Sequence, residues 1–255
     1  MAEHEAMLAG RAGRYREWAP AVELAAHFRC AWSHEVAPDH VGPMVVVPDG
    51  CIDIVWLGGR LHVAGPDVEA ALPKPPAGAT IMGMRFQPGA AALWLRAPIA
   101  DLVGRQVPLD AFWGAAADRL AGRIGSAATA AERLVAFEAG LVAGASGRPA
   151  PDGDIGFLFD RLAQGGASLD TLGESLDLSP RTLRRRSIDA FGYGPKTLER
   201  ILRFQRFLAL GRAGAATGLA ALADAAGYAD QAHLSREVRR LAGLSPAAVR
   251  AQLLG

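Results

Sequence analysis

The chain has 255 residues, of which 51% are hydrophobic and 21% charged, a balance that excludes an intrinsically disordered protein. This length allows two domains that each bury a core. The net charge of +1 is unevenly divided: residues 155–255 hold 14 Lys+Arg against 9 Asp+Glu, whereas residues 1–154 hold 13 against 17. The division indicates that only the carboxyl-terminal part meets a polyanion.

Membrane, disulfide and metal classes are disfavoured. No apolar run approaches the roughly 20 residues of a membrane span. Two cysteines, Cys30 and Cys51, are too few for a disulfide framework, and no Cys/His spacing is typical of zinc. Residues 1–16 are polar and lack the apolar core of a signal peptide. We therefore expect a reduced, cytoplasmic setting with no cofactor, no metal and no membrane partner.

The first ninety residues predict short strands separated by turns. Strand candidates are residues 25–33, 44–47, 51–57, 60–63 and 80–86. Turn signals follow two of them, at Pro48-Asp49-Gly50 and Gln87-Pro88-Gly89. Gly58-Gly59 predicts a tight turn that connects residues 51–57 and 60–63 in a hairpin, since both glycines can adopt a positive φ. Several short strands at this spacing favour a small β-barrel or sandwich.

Helical patterns begin near residue 90, where Leu120, Ile124, Leu134, Phe137 and Leu141 recur at spacings of three and four. Residues 143–154, AGASGRPAPDGD, offer nothing to bury and predict a flexible linker. The expected organisation is an amino-terminal domain over 1–142, a linker over 143–154 and a second domain over 155–255.

After the linker the chain predicts only helices. They cover residues 155–163, 169–176, 181–190, 195–210, 219–226 and 231–241. Ser168 and Ser179 are N-cap candidates, and Gly214 and Gly218 bracket a break. The expected fold class is therefore α+β in two domains, with the second all helical.

A repeat runs through this second domain. Leu183, Arg185, Gly192 and Pro195 recur 51 residues later as Leu234, Arg236, Gly243 and Pro246, whereas Leu172 matches Leu222 at an offset of 50. Each unit is a short helix, a turn, a second helix, a glycine stop and a proline restart. The pattern predicts a helix-turn-helix written twice and joined by a long helix.

The second helix of each unit is basic. Arginine pairs bidentately with guanine or holds a phosphate, and glutamine reads adenine. The candidate DNA-binding residues are Ser179, Arg181, Thr182, Arg184 and Arg185 in the first unit and Gln231, His233, Ser235, Arg236, Arg239 and Arg240 in the second. The alternative for any single basic run is a solvated helix face. Two basic units in register favour DNA.

Residues 168–250 resemble the DNA-binding domain of the AraC/XylS family of bacterial transcription regulators. The resemblance rests on AGYADQAHLSR at residues 226–236, GLSP at 243–246 and LSPRTLRR at 178–185. Four positions depart from the family pattern: Leu234, Val238 and Val249 replace aromatic residues, and Ser187 replaces a large apolar one. All four are expected in the core, so the departures concern packing more than DNA contacts.

The resemblance implies that one chain reads two successive major grooves of double-stranded DNA, about 34 Å apart. It also implies an amino-terminal sensing or dimerising domain, often a cupin-like barrel. Residues 48–53 (PDGCID) and 83–89 (GMRFQPG) resemble an uncharacterised domain found in this position, which brings no known ligand.

Candidate ligand residues in the amino-terminal domain are Trp32, Asp53, Trp56, Arg85 and Phe86. Arg85 in a loop closed by proline and glycine is suited to an anion, and tryptophans, including Trp18 and Trp94, can line an apolar pocket. The alternatives are aromatic core and a structural ion pair. The scattered histidines lack the H-x-H spacing of metal cupins.

Three hypotheses follow. The first is a transcription regulator whose DNA binding responds to a small-molecule effector. The second is a DNA-binding regulator without a small-molecule ligand, in which the amino-terminal domain serves only to form a homodimer or to contact RNA polymerase. The third, a barrel enzyme with a basic appendage, needs a metal or nucleophile constellation that the sequence does not show.

Overall fold

A computed structural model describes residues 7–214 and 218–254, so the break predicted between Gly214 and Gly218 falls largely outside the described residues. The amino-terminal part is built of strands that are mostly short. They are β1 (Met7–Leu8), β2 (Gly13–Trp18), β3 (Phe28–Val36), β4 (Met44–Val45), β5 (Asp53–Leu57), β6 (Arg60–Ala64), β7 (Thr80–Phe86) and β8 (Gln106–Pro108).

Six of these strands form one antiparallel sheet in the order β2-β3-β7-β5-β6-β8, and β1 pairs with β4 in parallel. The predicted barrel is wrong for the described strands: β2 and β8 are edges, so the sheet is open. The β5–β6 turn has the predicted geometry, with φ of 58° at Gly58 and 83° at Gly59.

Helices cover one face of this sheet. They are α1 (Ala90–Leu95), α2 (Asp110–Trp113), α3 (Ala115–Ser126) and α4 (Ala130–Ala145), with a 3₁₀ turn at Ile99–Leu102. Met82, Met84 and Phe86 of β7 pack on this side with Trp94 and Phe137 in one buried cluster. Alternate β7 residues point the other way, as the period of a strand requires.

The opposite face of the sheet carries a smaller cluster around Trp32, Val55 and Ile81. Gly83 allows the Trp32 ring to lie directly on the strand, because a Cβ at this position would lie 2.2 Å from a ring carbon of Trp32. This second face also holds the ionised groups described below.

The segment between the two parts is shorter than predicted. Helix α4 continues to Ala145 and α5 begins at Gly153, which leaves Ser146–Asp152 irregular. Arg148 holds this segment: its guanidinium donates to the carbonyl oxygens of Gly144 (2.6 Å) and Leu93 (2.8 Å) and lies 4.5 Å from the Trp94 ring centre. The linker is therefore anchored on the amino-terminal domain.

The described residues of the carboxyl-terminal part form seven helices. They are α5 (Gly153–Gln164), α6 (Leu169–Ser175), α7 (Pro180–Phe191), α8 (Pro195–Arg212), α9 (Leu219–Ala226), α10 (Gln231–Ala242) and α11 (Pro246–Leu254). Helix α8 is central, with Leu198, Ile201, Phe204 and Phe207 buried against its neighbours. None of the helices within residues 7–214 and 218–254 is long and apolar enough to cross a membrane.

The two parts share apolar packing. Leu8 and Val45, from β1 and β4, belong to the same buried cluster as the helices around α8. Polar contacts accompany it: Leu8 N–H donates to Gln252 Oε1 (2.7 Å), and Gln205 Nε2 donates to the Pro48 carbonyl (2.6 Å). The amino-terminal domain thus contacts the helical domain at two places, the last helix α11 and the central helix α8.

Candidate nucleic-acid interface

The repeat predicted from the sequence is present in the backbone. Helices α7 and α10 each have 12 residues, and both their starts and their ends are offset by 51. Each begins at a capping side chain: Ser179 accepts from Thr182 N–H and Asp230 from His233 N–H. Each ends at a left-handed glycine, Gly192 or Gly243.

The turns between the helices of each unit repeat as well, at an offset of 50. Leu178 N–H donates to Gly173 O and Tyr228 N–H donates to Ala223 O, both at 2.9 Å. The residue before each donor has a positive φ, 51° at Asp177 and 85° at Gly227. The additional residue of the second unit is therefore Ala229, between this bond and the Asp230 cap.

The four departures from the family pattern lie at buried positions. Leu234, Val238 and Val249 are 0% exposed. Ser187 is also fully buried, and its hydroxyl donates to the Tyr193 carbonyl at 2.8 Å. A serine is suited to this position because it satisfies a backbone acceptor that a large apolar residue would leave without a partner.

On α7, the candidate residues Arg181, Arg184 and Arg185 are exposed. Leu183 and Ser187 face the core, and with 3.6 residues per turn Arg185 lies nearly opposite them. Arg186, the third arginine of the run, points elsewhere: its Nη1 lies 2.6 Å from Asp154 Oδ2 and 3.5 Å from Asp152 Oδ2. Arg184 and Arg185 therefore face solvent, whereas Arg186 contacts the segment that precedes and begins α5.

Helix α10 presents the corresponding face. Gln231, Arg236, Arg239 and Arg240 are exposed, whereas His233 and Ser235 are half-buried. The His233 ring packs edge-on against Tyr228 with centroids 5.2 Å apart, and its Nδ1 accepts from Ala229 N–H at 3.4 Å. Arg236 occupies the position that Arg185 has on α7, 51 residues earlier.

Two arginines of α8, which were not singled out in the sequence, hold the second unit and α5 in place. Arg206 donates to the carbonyl oxygens of Leu162, Ala163 and Ala226, near the ends of α5 and α9. Arg200 pairs with Glu237 of α10 at 3.3 Å. Arg200, Arg203 and Arg206 recur every three residues among the buried apolar residues of α8, and this spacing is the signal that could have revealed them. With 18 residues, α8 is about 27 Å long.

The five candidate ligand residues do not share one surface. Trp32, Asp53 and Arg85 lie on one side of the sheet, whereas Trp56 and Phe86 belong to the cluster beneath the helices on the other side. Positions an odd number of residues apart on a strand point to opposite faces, which separates Arg85 from Phe86 and Asp53 from Trp56.

Arg85 already contacts three carboxylates. Its guanidinium lies 2.9 Å from Asp49, 3.1 Å from Asp53 and 3.6 Å from Glu17. Burial raises the pKa of Asp53, an effect that the nearby Arg85 opposes. An anion would have to displace these partners to reach Arg85.

Comparisons with known proteins cover both parts of the chain. Residues 172–252 match a family described as a helix-turn-helix domain (HTH_18), and residues 16–108 match a domain of unknown function (DUF6597). A search of curated proteins found no significant match.

Among solved structures, the chain is similar to ToxT of Vibrio cholerae, at low sequence identity. A structure of ToxT from strain O395 has a TM-score of 0.47 at 8% identity over 88% of this chain and 97% of that one. A structure of ToxT bound to (E)-4-(8-methylnaphthalen-1-yl)but-3-enoic acid has a TM-score of 0.46 at 8% sequence identity. The match covers 87% of this chain and 97% of that one.

The carboxyl-terminal part of the chain is a helix-turn-helix domain of the AraC type, the class of domain with which bacterial transcription regulators bind DNA. In this chain it follows a DUF6597 domain.

Proposed function

We propose that the protein is a transcription regulator that reads DNA sequence with α7 and α10, placed in two successive major grooves. Arg181, Arg184 and Arg185 contact the first groove, and Gln231 and Arg236 the second. The remaining candidates, Ser179, Thr182, His233, Ser235, Arg239 and Arg240, contact phosphates or support these side chains.

One observation carries the proposal: two basic helices with equivalently placed N-caps and the same buried face both pack against one helix, α8. Arg185 and Arg236 lie at equivalent exposed positions. Helix α8 joins the two units and is about 27 Å long, a length comparable with one DNA turn of about 34 Å.

The test is binding to a duplex selected by the protein from a random 30-base-pair library, compared with an unrelated duplex of equal length. Changing Arg185→Ala together with Arg236→Ala is expected to weaken specific binding by at least about 30-fold, because each arginine contributes about 1 to 3 kcal/mol of discrimination. Fluorescence anisotropy at several salt concentrations measures both affinity and the number of phosphate contacts.

The matched control is Arg14→Ala together with Arg60→Ala, which removes the same charge from exposed positions on β2 and β6. It is expected to leave affinity within about twofold, since electrostatics at this distance are screened. Equal losses in the two double variants would contradict sequence reading by α7 and α10 and indicate a response to net charge alone.

We also propose that the amino-terminal domain binds a small-molecule effector that changes DNA binding. Support comes from the anchored linker, since Arg148 joins it to the sheet-covering helices and Asp152 joins it to Arg186 of α7. A change in the helices that surround Arg148 therefore has a short path to the first recognition helix, through four residues of chain and one ion pair.

A further inference from the structure

The helices that cover the sheet line an open cavity with an aromatic wall and a basic rim. Its volume is about 570 Å³, and it opens to solvent between α3 and α4. Trp94 of α1 and Trp113 of α2 form the wall, with ring centroids 5.9 Å apart. Trp113 is fixed there because its Nε1 donates to the Trp94 carbonyl at 3.1 Å.

Three arginines line the cavity and no carboxylate does: Arg119, Arg123 and Arg148. Arg119 and Arg123 lie one turn apart on α3, so their like charges repel. Within residues 7–214 and 218–254, none of the three has an ion-pair partner within 4.0 Å. Burial, with a further contribution from Arg96, lowers the pKa of Arg148. The site therefore has an excess of positive charge.

Small residues form much of the cavity lining on α3 and α4. Ala116 and Ala143 line the opening, and Gly140 and Gly144 line the wall of α4. A Cβ at Gly140 would lie 2.2 Å from a Leu120 methyl, and one at Gly144 would lie 3.2 Å from the Trp94 ring. The two glycines thus allow α4 to pack closely on α3 and on the tryptophan.

We propose that this cavity binds a small organic anion with a flat aromatic body. The body stacks on the half-buried Trp113, behind which Trp94 is fully buried, and a carboxylate or similar group accepts from Arg119 and Arg123, relieving their repulsion. The volume lies within the range of small-molecule sites, which combine an apolar wall with a few charged groups.

Occupancy bears directly on the linker, and this step depends on the proposed function. Arg148 lines the cavity and is also the second residue after Ser146, where the irregular segment begins. A bound anion competes with the Gly144 and Leu93 carbonyls for its guanidinium. Four residues further on, Asp152 contacts Arg186, the neighbour of Arg185 on α7.

The test is calorimetric titration of the full chain, without DNA, with naphthalene-2-carboxylate and with its neutral amide. We expect the carboxylate to bind at least about tenfold more tightly, because only it pairs with arginine. Changing Arg119→Gln with Arg123→Gln is expected to remove this preference while leaving the amide within about twofold. Arg14→Gln with Arg60→Gln, equally exposed, is the matched control.

A second variant tests the place of binding. Ala143 is exposed at the opening, so Ala143→Phe fills the cavity without entering the core, and it is expected to abolish binding of both compounds. Unchanged thermal unfolding of this variant verifies the fold. A carboxylate that binds no better than the amide, or binding that survives Ala143→Phe, would overturn the site.

The last measurement is DNA affinity with and without saturating carboxylate. A change of at least about threefold in the wild type, absent from Ala143→Phe, supports coupling through Arg148. Bound carboxylate with no change in DNA affinity overturns the coupling. Failure of the titration while DNA binding persists overturns the site and leaves the proposed DNA function intact.

Discussion

At the scale of single residues, the two turns of the helix-turn-helix units show how one backbone requirement is met in two ways. Asp177 and Gly227 occupy the equivalent left-handed position, with φ of 51° and 85°. Glycine adopts this conformation without a Cβ penalty, and aspartate is among the few other residues that tolerate it. The second turn has the additional constraint that Arg206 lies against Gly227.

We therefore expect Gly227→Ala to lower the free energy of unfolding by about 1 to 2 kcal/mol. The control is Gly122→Ala in α3, where nothing lies within 4 Å of a new Cβ and helix propensity favours alanine. That variant should gain stability, by up to about 1 kcal/mol. Urea unfolding measures both, and a destabilisation of equal size in the two would argue against the left-handed position as the cause.

A half-buried carboxyl, that of Asp67, makes stability depend on pH. Burial raises the pKa of Asp67 from 3.8 to about 6, and the charges of Asp49 and Glu69 act in the same direction. Because the folded state binds this proton more tightly than the unfolded chain, its contribution to stability is present below about pH 4 and is lost as pH rises through 6.

Asp67→Asn should consequently be more stable than the wild type at pH 7, by about 1 to 2 kcal/mol for a partly exposed side chain, and the difference should vanish near pH 4. Denaturant unfolding across pH 4 to 7.5 measures it. Asp39→Asn, at an exposed position, controls for the loss of a surface charge. A constant difference across this range would show that Asp67 is not the titrating group.

At the scale of elements, α8 does more than separate the two units. Arg206 in its middle donates to three carbonyl oxygens near the ends of α5 and α9, where a helix leaves its acceptors without internal partners. Arg200 adds an ion pair to α10. These contacts fix the second unit on α8 and hold α5, which packs against both α7 and α8, to the same helix.

Arg206→Met keeps much of the side-chain stem but removes all three donors, so we expect a loss of about 1 to 3 kcal/mol in unfolding free energy. Arg212→Met, on the same helix at an exposed position, should change stability by less than about 0.5 kcal/mol. Chemical denaturation of both variants gives the comparison. Similar effects would mean that the carbonyl contacts contribute little.

At the scale of the whole molecule, the two parts share packing where Gly50 meets the helical domain. A Cβ on Gly50 would lie 3.1 Å from Phe159 and 3.2 Å from Leu198. Gly50 also has a φ of 80°, in the turn predicted at Pro48-Asp49-Gly50. Close approach here lets the domains bury apolar surface against each other, which couples their unfolding.

The wild type should therefore unfold in one cooperative calorimetric transition, and Gly50→Leu should divide it into two by forcing the domains apart. Gly59→Leu is the matched control, since its φ of 83° imposes the same backbone strain in open space. It should lower the transition temperature without dividing the transition. Two transitions in the wild type would contradict the coupling.

The sequence by itself determined the features that depend on neighbours in the chain. Capping residues, glycine stops and periodic apolar positions act over one or two turns, so α9 and β7 have the predicted bounds and the 51-residue repeat appears in both caps and stops. The β5–β6 hairpin was predictable for the same reason, since Gly58-Gly59 sets its turn locally.

Only the tertiary structure decided which distant groups meet. Strand β2, whose sequence GRYREW is mostly polar and exposed, was missed because it forms only by pairing with β3. The open sheet, the pairing of Arg186 with Asp152 beside an exposed Arg185, and the gathering of Arg119 and Arg148 around two tryptophans all depend on contacts between distant segments. Residue type and spacing do not encode such contacts directly, because packing against whole elements selects them.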